Sequence, residues 1–410
     1  MVCKGYNAKM FRLERIFAFL LLGFCIFAVA FYTKFVYTTQ RSVRDGVNVR
    51  PDERKTEINF LNNDQYSQKD NSFVDGVNSQ DENWSFNDEI QPESRKYLVY
   101  SCSGRSPCGG WGDRLRGIVS TYVMAVLTNR VFVINMTSPC PLTMWLHPNL
   151  IPWTVHIKPE SQTDEIFIDV HDNTRFSELL KSVDLSKFFI KDVVRLTPNY
   201  DLFSRLKLNP IYQTQLTEMS KPVPGKPVSL FSRIFEDLFA MNHNLEFQVS
   251  KFLAGLYEPK RHRTLICAQI RMGRNPSIPR DTEIRTRPSE LKALWNFLQE
   301  YKNDNRFKIF VTTDSESVRK EAKKLFSSQI LDTSGPITHP DYRHGNDSCL
   351  GLGKIILDQY LLRFCDTLVI SKSLFGVIGA HLRGKTSNLY QFSNGTVDRM
   401  ALSAYHLFNF

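Results

Sequence analysis

Short apolar runs that alternate with helix-like segments are the feature that most constrains the fold of this chain. The runs of strand length are Leu265–Ile270, Lys308–Thr313, Gln329–Asp332 and Thr367–Ser371. The segments around them have apolar residues at helical spacing and predict helices at Pro288–Tyr301, Glu316–Phe326, Leu350–Phe364 and Leu374–Arg383. Strands that alternate with helices predict a parallel sheet with crossover helices, so an α/β fold is expected.

Polar residues stand at the ends of three of these predicted strands. Arg271 follows the first run, Thr313 and Asp314 close the second, and Ser373 follows the last. The carboxyl ends of parallel strands lie at one edge, where open α/β sheets bind their ligands. An arginine there can present a planar fork of donors to a phosphate. Each residue alone could cap a helix or pair on the surface, but their convergence favours a site for an anionic ligand.

The N-terminal half predicts a second α/β unit. A strand at Tyr97–Ser101 leads into the glycine loop Gly109–Gly112, a helix at about Asp113–Thr128 and a strand at Arg130–Asn135. Glycines let the backbone approach a ligand, and the helix N-terminus behind them attracts anions, although a simple tight turn is the alternative. Further predicted elements are a strand at Glu165–Val170, a helix at Arg175–Ser182, a strand at Phe188–Val194 and a helical segment at Arg233–Leu256.

Length and charge limit the class of protein further. A chain of 410 residues is too long for one core, so more than one domain is expected. The formal net charge is +10, which suits an anionic ligand such as a nucleotide or a sulfated glycan, or serves solubility alone. No basic run is interleaved with aromatic residues, so a nucleic-acid partner is not expected.

The first 95 residues predict a membrane anchor and a linker. Residues 1–15 are short and basic, and Ile16–Tyr32 is a run of 17 apolar residues, the lower end of the length that spans a bilayer. The basic flank places the N-terminus in the cytosol, so we expect a type II transmembrane anchor at 16–33. A cleaved signal peptide is the alternative, because Ala28-Val29-Ala30 resembles a cleavage site. Residues 34–95 are polar and acidic and predict a flexible stem.

Cysteines and sequons indicate an oxidising, glycosylating compartment. Six of the eight cysteines follow the anchor, and sequons begin at Asn83, Asn135, Asn346 and Asn394. Cys102 and Cys108 are spaced for a local bridge, whereas Cys267, in the middle of a strand, is the expected free thiol. No cysteine pair or histidine cluster has zinc-ligand spacing, so no metal site is expected.

Taken together, these motifs resemble the GDP-fucose-dependent fucosyltransferase superfamily, which includes α1,2-, α1,6- and protein O-fucosyltransferases. The resemblance covers about residues 97–395, and its Gln-x-Arg form is most similar to the plant cell-wall α1,2 branch. The segments that carry it are Gly109–Gly117, Gln269–Arg274, Phe310–Ser315 and Asp366–Gly376. It implies a GT-B fold of two Rossmann-like domains that face each other across a cleft, expected at 96–255 on the acceptor side and 256–410 on the donor side.

The resemblance also implies roles for individual residues. Arg271 would bind the β-phosphate of the donor and aid the departure of GDP. The other donor-binding residues would be Gly110, Trp111, Gly112, Arg114, Gln269, Thr313, Asp314, Ser373, Phe375 and Gly376. Many members have a histidine where Gln269 stands and an aspartate near Arg274. Asp281, Glu283 and Asp113 are candidates for the catalytic base, each of which could equally be a solvated or capping carboxylate.

The function expected from the sequence is therefore inverting transfer of L-fucose from GDP-fucose to a glycan or glycoprotein hydroxyl, with no cofactor and no essential metal. The enzyme would be a single-pass type II protein of the Golgi membrane, with its catalytic part in the lumen. The alternatives are a protein O-fucosyltransferase and an inactive glycan-binding or scaffold member. A sulfotransferase lacks support, since we find no phosphate-loop signature.

Overall fold

The computed structural model describes residues 96–402, apart from 105, 156, 158–164, 171–172, 226, 228, 259–260, 279–280, 282, 344 and 346. The expected cytosolic tail, anchor and stem, with the sequons at Asn83 and Asn346, lie outside the described residues. Among the residues that are described, no helix combines the length and the apolar character needed to cross a bilayer.

Strands and helices alternate along most of the described chain. The strands are β1 (Tyr97–Cys102), β2 (Val131–Met136), β3 (Leu146–Pro148), β4 (Glu165–Ile168), β5 (Val193–Leu196), β6 (Phe239–Met241), β7 (Tyr257–Glu258), β8 (Arg261–His262), β9 (Thr264–Ile270), β10 (Phe307–Thr313), β11 (Ile330–Leu331), β12 (Thr367–Ser371), β13 (Leu389–Ser393) and β14 (Thr396–Arg399). The α-helices are α1 (Trp111–Leu127), α2 (Thr174–Leu179), α3 (Leu185–Phe188), α4 (Phe203–Leu206), α5 (Gln213–Ser220), α6 (Leu230–Leu238), α7 (His243–Ala254), α8 (Leu291–Gln299), α9 (Glu316–Leu325), α10 (Asp347–Leu361) and α11 (Leu374–Arg383). Short 3₁₀ turns occupy Leu142–Met144, Pro288–Glu290 and Leu362–Phe364.

The first half forms a four-stranded parallel sheet in the order β2-β1-β5-β4. Helix α1 buries Leu115, Ile118 and Val123 against it, as its apolar spacing predicts. The predicted strand at Phe188–Val194 is wrong at its start, because Asp184 caps α3 by accepting the Ser186 N–H at 3.0 Å. Helix α3 therefore runs through Phe188, and the strand begins only at Val193.

The second half forms a six-stranded sheet in the order β11-β10-β9-β12-β13-β14. Its strands are parallel except for the β13–β14 hairpin. The predicted strand at 367–371 and the predicted helix at 374–383 have the observed bounds, and the hairpin is an addition to the prediction. Strand β9 lies at the centre, so all the residues from Leu265 to Ile270 are buried, as the uninterrupted apolar run requires.

The predicted helical segment at Arg233–Leu256 is interrupted. Strand β6 separates α6 from α7 and pairs antiparallel with β3. Asn242 then starts a new helix, because its side chain accepts the Leu245 N–H at 2.9 Å. Phe252 of α7 packs edge-on against Phe310 of β10, with 5.0 Å between ring centroids. The segment therefore passes from the first sheet to the core of the second.

Three disulfides link the described cysteines, and one of them corrects the prediction of a free thiol. Cys102 pairs with Cys108, as their spacing predicts. Cys267 is not free but is bonded to Cys365, because the neighbouring strand β12 begins two residues after Cys365 and brings the two Cα atoms to 5.8 Å. Cys140 and Cys349, 209 residues apart in sequence, join the two halves covalently.

Candidate functional site

The carboxyl ends of three neighbouring strands lie side by side at one edge of the second sheet. Strand β9 pairs with β10 on one side and β12 on the other, with Ile270 opposite Thr313 and Gln269 opposite Ile370. Arg271, Thr313, Asp314 and Ser373 therefore meet at this edge, as the sequence predicts. They line a cavity of about 370 Å³, a size suited to a small-molecule ligand.

The glycine loop of the first half closes the opposite side of the same cavity. Gly110, Trp111, Gly112 and Asp113, at the N-terminus of α1, all line it. A Cβ on Gly112 would lie only 2.9 Å from Cγ of Leu374, at the start of α11. The absence of a side chain therefore lets the two halves touch at this point. The cavity has the N-terminus of α1 on one wall and the N-terminus of α11 on the other.

Arg271 is held in place by two carboxylates. Its Nη2 lies 2.7 Å from Oδ2 of Asp281, and its Nη1 pairs with Oδ2 of Asp314. Asp314 also accepts the backbone N–H groups of Met272 (2.7 Å) and Gly273 (3.0 Å). The Arg271 side chain is 22 % exposed and lines the cavity, while the two ion pairs fix its orientation.

Gln269 supports Arg271 from inside the sheet. The Arg271 N–H donates to Oγ of Ser371 at 2.9 Å, and that hydroxyl donates to Oε1 of Gln269 at 3.2 Å. A Cβ on Gly376 would lie 2.4 Å from the same Oε1 atom. Gly376 does not line the cavity but allows α11 to pack closely on β9. Gln269 and Phe375 do line the cavity.

The three candidate carboxylates occupy different positions. Glu283 is exposed, pairs with Arg285 at 2.7 Å and does not line the cavity. Asp113 lines the cavity, accepts the Gly110 N–H at 3.0 Å and pairs with Arg116 at 2.9 Å. Burial raises the pKa of Asp113, and the neighbouring Arg116 opposes that rise. Asp281 is not among the lining residues, and its carboxylate is turned toward Arg271.

Arg114 does not reach the cavity, in contrast to the expectation that it approaches the ligand. Its side chain is fully buried, and Nη2 donates to Oδ1 of Asp341 (2.8 Å) and to the Pro340 carbonyl (2.9 Å). Nε donates to the Gly109 carbonyl at 3.1 Å. Burial lowers the pKa of Arg114, and Asp341 offsets part of that effect. The residue therefore positions the glycine loop.

A segment that sequence reasoning missed holds that loop against the second half. We name residues 336–343 the bridging segment. Its Asp341 accepts the N–H groups of Cys108 (3.0 Å) and Gly109 (2.9 Å), and its Arg343 donates to the carbonyls of Gly104 and Ser106. The glycine loop is thus ordered by residues more than 200 positions away in sequence.

Two further groups beside the cavity were missed. His339 lines it from the bridging segment, and burial together with the positive Arg271 and Arg114 lowers the pKa of His339 to about 4. Lys354 and Asp358 form a buried ion pair at 2.9 Å. Asp358 also accepts hydroxyl bonds from Thr312 (2.7 Å) and Thr333 (2.6 Å). The sequence did contain a signal for this pair. Lys354 and Asp358 are charged residues four positions apart on the apolar face of the helix predicted at Leu350–Phe364.

The described residues hold no group of three or more His, Cys, Asp or Glu side chains arranged as metal ligands. Of the two sequons within them, Asn394 is exposed at the turn between β13 and β14, whereas Asn135 is half-buried in β2.

Comparison with solved structures identifies the fold. The class is the α/β fold of structurally known fucosyltransferases. An arginine-to-lysine variant of Arabidopsis thaliana FUT1 in complex with GDP matches 75 % of this chain and 75 % of its own, with a TM-score of 0.51 and 15 % identity. NodZ α-1,6-fucosyltransferase co-crystallised with GDP gives 0.47 and 14 % identity over 75 % of this chain and 98 % of NodZ. The fucosyltransferase NodZ from Bradyrhizobium gives 0.44 and 13 % identity over 75 % and 99 %.

No family model and no curated protein matches the sequence. At 15 % identity, the likeness to FUT1 establishes a shared fold and leaves the activity to be argued from the site.

Proposed function

We propose that this protein is a fucosyltransferase that moves L-fucose from GDP-fucose to a hydroxyl group of a glycan. One observation carries the proposal: Arg271 and the N-termini of α1 and α11 line a single cavity at the carboxyl edge of a parallel sheet. Helix N-termini and a guanidinium are the groups that bind phosphate. The shared fold with a GDP-bound fucosyltransferase and the resemblance in sequence favour GDP-fucose as the donor.

The donor's phosphates would lie between Arg271 and the start of α11. Ser373 makes no capping bond with its own side chain, so the first N–H groups of that helix are not capped by Ser373 and are available to a phosphate. During transfer, the bond between C1 of fucose and the β-phosphate oxygen breaks, and its electron pair passes to that oxygen. Arg271 and the helix N-termini would stabilise this charge, so that no metal ion is needed.

The acceptor hydroxyl would attack C1 from the opposite face, inverting the configuration, and lose its proton to a base. Asp113 is the best placed of the three candidate bases, because it lines the cavity and burial raises its pKa. Asp281 would instead position Arg271 through the 2.7 Å ion pair. The variants Asp113→Asn and Asp281→Asn separate these roles.

We expect Asp113→Asn to lower kcat by about 10²–10⁴-fold, the usual contribution of a general base. Asp281→Asn should raise the KM for GDP-fucose and affect kcat less. The asparagine at 113 can still accept the Gly110 N–H that caps α1, so folding should survive. An unchanged kcat in the Asp113 variant would remove Asp113 as the base.

The cellular setting belongs to the same proposal. We place the enzyme in the Golgi membrane as a single-pass type II protein with its catalytic part in the lumen. Three disulfides and an exposed sequon at Asn394 support an oxidising, glycosylating compartment.

Thermal shifts of the purified protein with GDP, UDP, CMP and adenosine 3′,5′-bisphosphate test the donor. A ligand at 100 times its Kd adds about 2.7 kcal/mol to the free energy of unfolding. Of the four nucleotides, we expect only GDP to raise the Tm. Turnover of GDP-fucose in the presence of glycan acceptors tests the reaction. GDP binding without turnover on glycans or folded protein domains would favour the inactive, glycan-binding alternative. A shift with another nucleotide would contradict the donor.

A further inference from the structure

His339 is held rigidly in the bridging segment between the two halves. Its backbone N–H donates to Oγ of Ser277 in the loop after β9, at 2.9 Å. Its ring nitrogen Nδ1 accepts the backbone N–H of Asp341 at 3.1 Å. Asp341 in turn accepts the N–H groups of Cys108 and Gly109. The backbone of His339 is therefore anchored to the second half, and a turn of the imidazole would break its bond to the Asp341 N–H.

This arrangement determines which nitrogen of the neutral ring carries the proton. Because Nδ1 accepts a hydrogen bond, the proton must be on Nε2. His339 lines the cavity beside Gly110, and a Cβ on Gly110 would lie 3.7 Å from Nε2. Within the described part of the chain, no residue accepts a hydrogen bond from Nε2. The Nε2–H group is therefore a donor without a protein partner there, on the wall of the cavity.

The ring is also kept neutral by its surroundings. Burial is the main cause of its lowered pKa, and the positive charges of Arg271 and Arg114 act in the same direction. Asp341 and Asp281 act in the opposite direction but do not overcome these effects. At neutral pH the imidazole is thus a fixed, uncharged hydrogen-bond donor, which cannot take up a second proton from an acceptor hydroxyl.

We propose that His339 contacts the donor substrate and gives the Nε2–H hydrogen bond to an oxygen of the diphosphate, between Arg271 and the glycine loop. The inference rests on the proposed function, since it assigns a residue to the donor of that reaction. As the C1–O bond breaks, the electron pair moves onto the β-phosphate oxygen and the hydrogen bond strengthens. No proton is transferred, so His339 stabilises the leaving group as a donor and not as an acid.

The test compares two substitutions at this position. His339→Phe keeps a planar ring but removes the donor, whereas His339→Gln retains an N–H group at a similar distance. Because the bond strengthens in the transition state, we expect His339→Phe to lower kcat by about 10²–10³-fold, the usual loss for one such donor. The kcat of His339→Gln should be at least tenfold higher than that of His339→Phe. The Kd of His339→Phe for GDP should rise by no more than about tenfold. His147→Phe, at an exposed histidine outside the cavity, is the matched control and should not change kcat.

A second measurement does not depend on the folding of a variant. With ¹⁵N-labelled histidine in the wild-type protein, the His339 signal should show the proton on Nε2 at neutral pH and should shift when GDP binds. A proton on Nδ1, or a signal unaffected by saturating GDP, would overturn the inference.

The outcomes also separate this inference from the function on which it rests. If the wild type turns over GDP-fucose and His339→Phe keeps kcat within about threefold, only the role of His339 is overturned. If the wild type binds no GDP, the proposed function fails, and the contact with its diphosphate fails with it.

Discussion

The two walls of the cavity are ordered in different ways. On the sheet side, Arg271 and Asp314 sit at the ends of neighbouring strands and are fixed by contacts within the second half, such as the Met272 N–H to Asp314 bond of 2.7 Å. On the glycine-loop side, the order comes from Asp341 and Arg343 of the bridging segment in the other half. The sheet side is therefore ordered by contacts between neighbouring strands, whereas the glycine-loop side depends on contacts with residues far away in the sequence.

This difference has a functional meaning. A site built into strand ends is preorganised as soon as the sheet forms. The glycine loop has contacts within the first half, such as the Arg114 bond to the Gly109 carbonyl, but its bonds to Asp341 and Arg343 form only when the two halves have come together. The bridging segment therefore connects assembly of the protein to completion of the cavity. Substitutions on each side of the cavity test whether the two walls are ordered independently.

The largest effect is expected for Asp341→Ala. It leaves Arg114, whose side chain is fully buried, without its carboxylate partner at 2.8 Å, and it frees two backbone N–H groups. Removing one partner of a buried ion pair costs about 3–5 kcal/mol. Denaturant unfolding should show this loss in the free energy of unfolding.

Asp304→Ala is the control for that measurement. Asp304 pairs at 2.6 Å with Arg306, whose side chain is 76 % exposed, and such surface pairs contribute about 0–1 kcal/mol. Equal losses in the two variants would show that the bridging segment contributes no more than an ordinary surface contact.

Arg271→Ala tests the sheet side of the cavity, and we expect its effect to be the second largest, after that of Asp341→Ala. Loss of one preorganised donor to a developing negative charge costs about 10²–10³ in kcat. Arg285→Ala is the matched variant, because Arg285 lines the same cavity but is 47 % exposed and pairs with Glu283. We expect less than a tenfold change in that variant. Similar losses of GDP-fucose turnover in both would mean that the cavity needs positive charge in general and not Arg271 at the strand end.

The pH dependence of the free energy of unfolding tests the environment of His339, which lies in the bridging segment between the two walls. The pKa of His339 is about 4, below its ordinary value of 6.5, so the unfolded chain takes up the proton at a higher pH than the folded protein. The stability from the neutral ring is present above pH 6.5 and decreases as the pH falls toward 4. Its full loss is about 3 kcal/mol. Unfolding of wild type and His339→Gln from pH 7 to pH 4 should diverge by this amount; parallel curves would contradict the lowered pKa.

The smallest effect is expected for Gly112→Ala. The new Cβ would lie 2.9 Å from Cγ of Leu374, a side chain that can shift, so we expect a loss of about 1 kcal/mol, at the low end for overpacking. The Tm should fall by a few degrees. The double variant with Leu374→Ala should recover most of the loss, whereas an additive effect would show that the two halves do not touch there.

The sheet side could be predicted from the sequence because its order follows from local patterns. Alternating strands and helices place Arg271 and Asp314 at one edge whatever the details of the loops. The disulfide of Cys267 could not be predicted, because its partner Cys365 becomes a neighbour only once β12 is known to pair with β9. Strand order is a property of the assembled sheet.

The glycine-loop side of the cavity shows more clearly what the sequence alone cannot predict. Arg114 lies in a motif that resembles a ligand-binding loop, yet its partner Asp341 is 227 residues away. The bridging segment has no periodicity to reveal it, since Pro336–Arg343 is irregular backbone. His339 was missed for the same reason: its importance lies in the contacts around it and not in its spacing.

The Cys140–Cys349 bond has a mechanical consequence for any cycle of substrate entry and product exit. It fastens the start of α10 to the first half, so these two points cannot separate while the bond is intact. If the two halves open as rigid bodies, the motion is a rotation about this fixed point, which widens the side away from it the most. The disulfide would act as the pivot of such a motion and would set the side from which a product leaves.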